Sequence, residues 1–104
     1  MTFRVRWTRS ARDDLARLYK HLLESVRTEA DLDRAASARD TIRGAAASLE
    51  RSPFLYRKAT GENPFLRELI IPFGATGYVA LYEIVDATTV TVLAVRHQRE
   101  DDYL

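Results

Sequence analysis

Few side chains in this sequence could do nucleophilic, metal or proton-transfer chemistry. The 104 residues contain no cysteine, which excludes thiolate catalysis, disulfides and a cysteine-ligated zinc site. The two histidines, His21 and His97, stand far apart in the sequence, so we expect no metal site built on them. Any chemistry must therefore come from arginine, carboxylate, histidine and tyrosine side chains, and we expect no cofactor.

The best-placed of these groups also have plain structural interpretations. Arg67 stands beside Glu68 at the start of an apolar run, where it could form a surface ion pair, anchor a strand to the preceding loop, or bind a target. His97 ends another apolar run, where it could be a proton-transferring residue or a capping, hydrogen-bonding one. We expect His21 to be a surface or inter-helix contact. Residue type alone leaves these alternatives open.

Charge is nearly balanced but unevenly placed. The net charge is +1, yet residues 1–27 carry seven basic and three acidic side chains. Residues 28–52 carry four basic and five acidic side chains, and residues 53–104 carry five and seven. The basic N-terminal third could contact nucleic acid or an acidic partner, but we favour a solvated helix face because the excess is small.

Length and hydropathy indicate one small domain, residues 1–104, that does not enter a membrane. The longest apolar runs, such as Val92 to Val95, are only a few residues long, far short of a membrane span. The first residues alternate polar and apolar side chains and contain no hydrophobic signal core. We therefore expect a cytoplasmic protein.

The apolar spacing predicts one strand and then two helices. Residues 3–8 alternate with period two, with Phe3, Val5 and Trp7 on one face. Ser10 is the expected N-cap of the first helix, and Thr28 that of the second, whose end we place before Pro53. Apolar stripes mark the faces on which the helices pack, Ala11, Leu15, Leu18, Leu22 and Val26 in the first, and Ala35, Ala38, Ile42, Ala45 and Leu49 in the second. The alanines favour close approach in an antiparallel helical hairpin.

Three more strands are predicted after an ordered loop at residues 53–64. They cover residues 65–73, 78–85 and 89–97, with turns at Gly74–Gly77 and residues 86–88. The last two strands are apolar on both faces, which is typical of central strands in a sheet. The order β-α-α-β-β-β predicts an α+β domain in which the hairpin packs on a small, mostly antiparallel, curved sheet.

This order and five short words make the chain resemble the RelE/ParE toxin superfamily of type II toxin–antitoxin systems, and its ParE branch in particular. The words are Ser10-Ala-Arg-Asp-Asp-Leu15, Leu49-Glu-Arg-Ser-Pro53, Arg67-Glu-Leu69, Tyr78-Val-Ala-Leu-Tyr82-Glu-Ile84 and Val92-Leu-Ala-Val95-Arg-His97-Gln-Arg99-Glu-Asp101. The resemblance covers nearly the whole chain.

The resemblance implies a toxin neutralised by a cognate antitoxin, whose flexible segment folds onto it. ParE members inhibit DNA gyrase and are not enzymes, and the likeness would place target-binding residues at Arg67, Arg96, His97 and Arg99. A homodimer and a toxin–antitoxin hetero-oligomer both stay open.

The same resemblance allows an enzyme, a ribosome-dependent endonuclease of the RelE type acting on messenger RNA. Its catalytic candidates here would be Arg67, His97, Arg99 and Tyr103, because the reaction needs proton transfer and positive charge near a phosphate. Against it, one nuclease branch's lysine pair is absent, since Lys58 stands alone. The tail also carries Glu100, Asp101 and Asp102, which suits a third alternative, a non-toxic binding module that keeps the fold.

Overall fold

A computed structural model describes residues 2–100 and places two helices on a five-stranded sheet. The elements in chain order are β1 (Arg4–Trp7), α1 (Arg9–Glu24), α2 (Glu29–Ala47), a 3₁₀ turn (Ser48–Glu50), β2 (Arg57–Lys58), β3 (Leu66–Phe73), β4 (Thr76–Asp86) and β5 (Thr89–His97). This confirms the predicted α+β class and the order of its main elements.

The sheet has the strand order β1-β5-β4-β3-β2, in which β1 pairs parallel with β5 and the other neighbours are antiparallel. β4 and β5 therefore lie inside the sheet, as their apolar character on both faces predicted. β2 is an addition, because it lies within the segment expected to be a loop. Its two residues are both charged and pair with β3, so they carry none of the alternation by which a strand is predicted.

The prediction that Ser10 caps α1 is wrong, and Thr8 is the cap. Thr8 is extended, with φ −69° and ψ 163°, and its hydroxyl oxygen accepts the Ala11 N–H at 3.0 Å. The same hydroxyl donates to the Leu93 carbonyl at 3.1 Å, which joins the start of α1 to β5. Ser10 lies exposed in the first turn. The helix also ends at Glu24, before Val26.

The predicted cap of α2 is confirmed. The Thr28 hydroxyl accepts the Asp31 N–H at 3.0 Å, and the Asp31 carboxylate accepts the Thr28 N–H at 3.2 Å. This reciprocal pair satisfies backbone donors that the first turn of a helix cannot satisfy itself. At the other end, α2 runs on into the 3₁₀ turn, where Leu49 is fully buried, and this turn ends at Glu50, three residues before the expected stop at Pro53.

The core lies between the hairpin and one face of the sheet. The small side chains Ala11, Ala38 and Ala46 are at most 1% exposed, which lets the helices approach each other and the sheet closely. On the sheet side the core contains alternate residues of the inner strands, namely Leu69, Ile71, Tyr78, Ala80, Tyr82 and Ile84, together with Val90, Val92 and Val95. Trp7 packs against this core but is only partly buried.

The turn between β3 and β4 is tighter than predicted. β4 begins at Thr76, so only Gly74 and Ala75 connect the strands, and Gly74 has a φ of +61°. That conformation favours glycine. Thr76 and Gly77, expected in the turn, already pair with Phe73 and Pro72. The longer β4 carries Thr76 to the level of the end of β5.

Candidate functional site

His97 ends β5 beside the first residues of β4, and both of its ring nitrogens are engaged. Nδ1 accepts the Arg99 backbone N–H at 3.1 Å, and Nε2 lies 3.2 Å from the Thr76 hydroxyl oxygen. Because Nδ1 accepts, Nε2 carries the proton and donates to Thr76. The imidazole edge also meets the Tyr78 ring, with 5.5 Å between centroids. The capping interpretation of His97 thus describes its geometry.

The turn after β5 is held by Arg96 and Glu100. Arg96 lies on the sheet face away from the helices, and its Nη1 donates to the Glu100 carbonyl at 2.7 Å. The Glu100 carboxylate contacts both terminal nitrogens of Arg17 at 3.3 and 3.4 Å and accepts the His97 N–H at 3.4 Å. This acidic residue of the tail is therefore neutralised by Arg17 of α1 and fixes the turn.

Arg67 anchors the loop before β3. Its Nε donates to the Pro64 carbonyl at 2.8 Å, and its Nη1 donates to the carbonyls of Phe54 and Tyr56 at 2.9 and 2.7 Å. The guanidinium also lies 5.4 Å from the centroid of the Phe54 ring. The sequence left three alternatives open, and the observed geometry is the loop anchor. The ion pair at this strand belongs to its neighbour, Glu68, which Arg57 contacts at 2.8 Å.

The structure does not bring Arg67 together with His97. Arg67 pairs with Tyr82 of β4, and His97 pairs with Tyr78, four residues away along the same strand. Four residues of extended chain separate them by roughly 13 Å along the sheet. The four predicted target-binding residues thus lie in three separate places. Arg67 is in β3, Arg96 is on the sheet face away from the helices, and His97 and Arg99 lie together at the end of β5. Tyr103 lies outside the described residues.

Sequence reasoning missed Asp14, a buried carboxylate. Asp14 lies on α1 and is 6% exposed, and its Oδ2 accepts the Val95 N–H at 2.9 Å. The pairing of β4 with β5 shifts register nearby, between Leu81 and Tyr82. β1 pairs with β5 only as far as Val92, and the Asp14 carboxylate supplies an acceptor to the β5 backbone beyond that point. The only sequence signal was a second aspartate within an otherwise apolar helix face.

His97 and Arg99 open onto a cavity of about 490 Å³ that we call the strand-end cavity. It lies between the hairpin and the end of the sheet. Its wall includes Arg17, Arg34, Phe73, Thr76, His97 and Arg99. Burial raises the pKa of Tyr78, which also lines it, against the smaller opposing effect of the Arg34 charge. Its hydroxyl therefore stays protonated at neutral pH.

A second concavity, of about 620 Å³, lies between the two helices and the end of β1, and we call it the hairpin groove. Trp7, Leu15, Ala16 and Tyr19 form an apolar floor, and Arg12, Arg39 and Arg43 form its rim. The Arg39 guanidinium carbon lies over the Tyr19 ring, 4.7 Å from its centroid. The groove therefore combines apolar surface with a positive edge. Neither helix pattern alone indicated it, because its floor comes from three elements.

The family of this chain follows from the match of its sequence to a family model. Residues 5–102 match the model described as the ParE toxin of the type II toxin–antitoxin system, parDE. The chain belongs to the ParE toxin family. Apart from Arg4, the first residue of β1, the match covers every element described above, so the RelE/ParE resemblance and its ParE branch are confirmed.

Comparison of folds agrees with membership of the ParE family. A chain from a structure of the chromosomal ParDE TA system from P. aeruginosa superimposes with a TM-score of 0.71 and covers 92% of this chain and 96% of its own. Its sequence identity is 20%, so this likeness establishes the fold alone. No curated protein sequence matched significantly.

Residues 2–100 of this ParE family member contain neither a candidate metal-binding cluster nor a membrane-spanning helix. No group of three or more histidine, aspartate or glutamate residues in this range could hold a metal ion. No helix within the same range is long and apolar enough to cross a membrane.

Proposed function

We propose that this chain is the growth-inhibiting toxin of a type II pair, that it acts by binding DNA gyrase, and that a cognate antitoxin neutralises it. The observation that carries the proposal is the ParE family match over residues 5–102. The gyrase target comes from the ParE resemblance. The polar side chains at the end of β5 are consistent with binding of the target through an exposed basic surface.

The geometry of His97 favours a binding role over a catalytic one. A general base must offer an unoccupied lone pair to the proton that it removes. Here the Nδ1 lone pair accepts the Arg99 N–H, and the Nε2 proton faces Thr76. Arg67, the other nuclease candidate, is occupied with three carbonyls of its own loop. These contacts support an inhibitor more than a ribonuclease.

Arg99 is the proposed direct contact with the target. It is exposed, and among residues 2–100 its guanidinium has no carboxylate within 4 Å, so it is available to a partner. His97 positions it by accepting its backbone N–H. Arg67 supports this surface by fixing the loop before β3, and Arg96 supports it by fixing the turn after β5.

A plasmid supercoiling assay with purified gyrase, ATP and the isolated chain tests the gyrase target. We expect loss of supercoiling or accumulation of linear DNA, and we expect Arg99→Gln to raise the half-inhibitory concentration by about tenfold. Arg51→Gln is the matched control, because Arg51 is also exposed but lies at the far end of the hairpin. An unaffected gyrase at high excess of folded chain would exclude this target. Messenger cleavage in arrested cells would then identify the ribonuclease, and absence of arrest the non-toxic module.

The hairpin groove is the proposed binding site of the antitoxin. An apolar floor accepts the apolar face of a segment that folds on binding, and the arginine rim complements acidic residues beside that face. We therefore propose that an acidic amphipathic segment of the antitoxin occupies it.

Co-expression with the cognate antitoxin tests the groove. Ala16→Glu places bulk and negative charge on the exposed floor, so we expect the variant to arrest growth even with antitoxin present. Ala30→Glu is the matched control, because Ala30 is exposed in the first turn of α2, where a carboxylate is favourable. Full neutralisation of the Ala16→Glu variant would place the antitoxin elsewhere.

A further inference from the structure

Among residues 2–100, the lining of the strand-end cavity contains more arginines than carboxylates. In this range the lining includes Arg17, Arg34 and Arg99 and one carboxylate, Glu100, which pairs with Arg17 at 3.3 Å. Arg34 and Arg99 have no carboxylate within 4 Å among residues 2–100. Within the described part of the chain, no carboxylate neutralises these two guanidinium groups, which come from different elements, α2 and the turn after β5.

A hydroxyl donor, that of Thr76 at the start of β4, lines the same cavity. Since Nε2 of His97 donates to the Thr76 oxygen, the Thr76 proton is not needed for that contact. Residues 2–100 provide no other hydrogen bond to the Thr76 side chain. Two guanidinium groups and a hydroxyl are the donors that phosphate oxygens prefer.

The cavity also has an apolar wall. Leu18, Leu22 and Phe73 form this wall, and Arg34 lies 5.1 Å from the centroid of the Phe73 ring. A volume of about 490 Å³ is much more than one phosphate needs and falls within the usual range for small organic ligands. A ligand that fills it must combine an anion with a flat apolar group.

We propose that the strand-end cavity binds a nucleotide, with its phosphate held by Arg34 and Arg99 and its base against Leu22 and Phe73. The nucleotide could be free or part of a single strand, because the same phosphate and base would be recognised in both. No bond is made or broken, since both ring nitrogens of His97 are already engaged. This binding goes beyond the proposed action on gyrase and does not depend on it.

Titration of the full chain by calorimetry or NMR tests the proposal, with adenosine 5′-monophosphate as the free ligand and a 5′-phosphorylated tetradeoxyadenylate as the strand. We expect saturable binding of at least one probe. Adenosine and inorganic phosphate should each bind at least about tenfold more weakly, because each keeps only half of the contacts. A tighter oligonucleotide identifies a strand as the ligand, and equal affinities identify the free nucleotide.

Two variants locate the binding. Arg34→Gln should weaken affinity by about tenfold to a hundredfold, as expected when a charge-assisted contact is lost, whereas Arg51→Gln should not change it. Phe73→Leu keeps an apolar wall but removes its flat face, so it should reduce adenosine monophosphate binding towards that of phosphate. Circular dichroism checks that each variant is folded. Failure of both probes to bind at millimolar concentration, or binding that is indifferent to Arg34→Gln, would overturn the proposal.

Discussion

Single side chains in this protein hold together segments that lie far apart in the sequence. Arg67 joins β3 to the loop before it, and Asp14 joins α1 to β5. Both side chains are of charged types, and both form hydrogen bonds with backbone atoms. At this scale the residue type was readable from the sequence, but its partner was not.

Arg67→Lys should loosen the loop before β3. Lysine has no planar fork and cannot reach the three carbonyls that Arg67 contacts, so we expect a loss of about 1–3 kcal/mol in the free energy of unfolding. Urea unfolding measures it, and limited proteolysis should reveal faster cleavage within residues 53–65. Arg57→Lys is the comparison, because the Arg57 side chain is 58% exposed and lysine keeps the charge that pairs with Glu68, so the loss should be less than about 1 kcal/mol. Equal losses would contradict the anchor.

Asp14→Asn should destabilise the fold much more than Asp13→Asn. The amide is a weaker acceptor for the Val95 N–H and adds a buried NH₂ group without a partner, which costs about 1–3 kcal/mol. Asp13 is exposed, so its change should stay within about 0.5 kcal/mol. Urea unfolding of the two variants gives the comparison, and a similar midpoint for both would show that the buried contact contributes little.

At the scale of elements, the close approach of the β3 and β4 backbones matters most where β4 begins. A Cβ at Gly77 would overlap the Ile71 carbonyl oxygen and meet the Pro72 Cα at 3.0 Å, so these backbones approach as closely as only glycine permits. Gly44, in α2, has nothing within 4 Å of the corresponding position. The two glycines therefore serve opposite purposes, although the sequence presents them alike.

Alanine at these two glycines should shift stability in opposite directions. Gly77→Ala should lower the free energy of unfolding by about 1–3 kcal/mol, because the hairpin must open to admit the methyl group. Gly44→Ala should raise it by up to about 1 kcal/mol, since alanine is the better helix former and meets no obstacle. Thermal unfolding monitored by circular dichroism measures both. A stabilised Gly77→Ala variant would contradict the described register of β3 and β4.

At the scale of the whole molecule, Tyr82 connects the sheet to the end of the hairpin. Its side chain is fully buried, and its hydroxyl donates to the Pro53 carbonyl at 2.6 Å. Burial raises the pKa of Tyr82 to about 12, against a smaller lowering by the Arg67 charge. The folded chain therefore holds this proton more tightly than the unfolded chain does.

Stability should consequently fall at alkaline pH. Because the folded pKa lies above the ordinary value of 10.0, the contribution of Tyr82 is complete below pH 10 and is lost progressively towards pH 12. Tyr82→Phe should be less stable at pH 8 by about 1–3 kcal/mol, since Pro53 loses its donor, yet show a weaker decline between pH 10 and 12. Urea unfolding across this range measures both effects. A parallel decline in the two proteins would refute this assignment.

The sequence by itself determined the α+β class, both helices, the three long strands and the family. Periodicity of apolar residues is local, and the Thr28 cap needs only residues three apart, so such features can be read without the fold. The tertiary structure decided everything that depends on partners distant in sequence. Thr8 caps α1 and also donates a hydrogen bond to Leu93 of β5. The charged residues of β2 form a strand only because they pair with β3. Arg67 and His97 lie apart because they pair with different residues of β4. The strand-end cavity is of the same kind, because Arg34 and Arg99 line one space only when α2 and the end of β5 pack in the same domain.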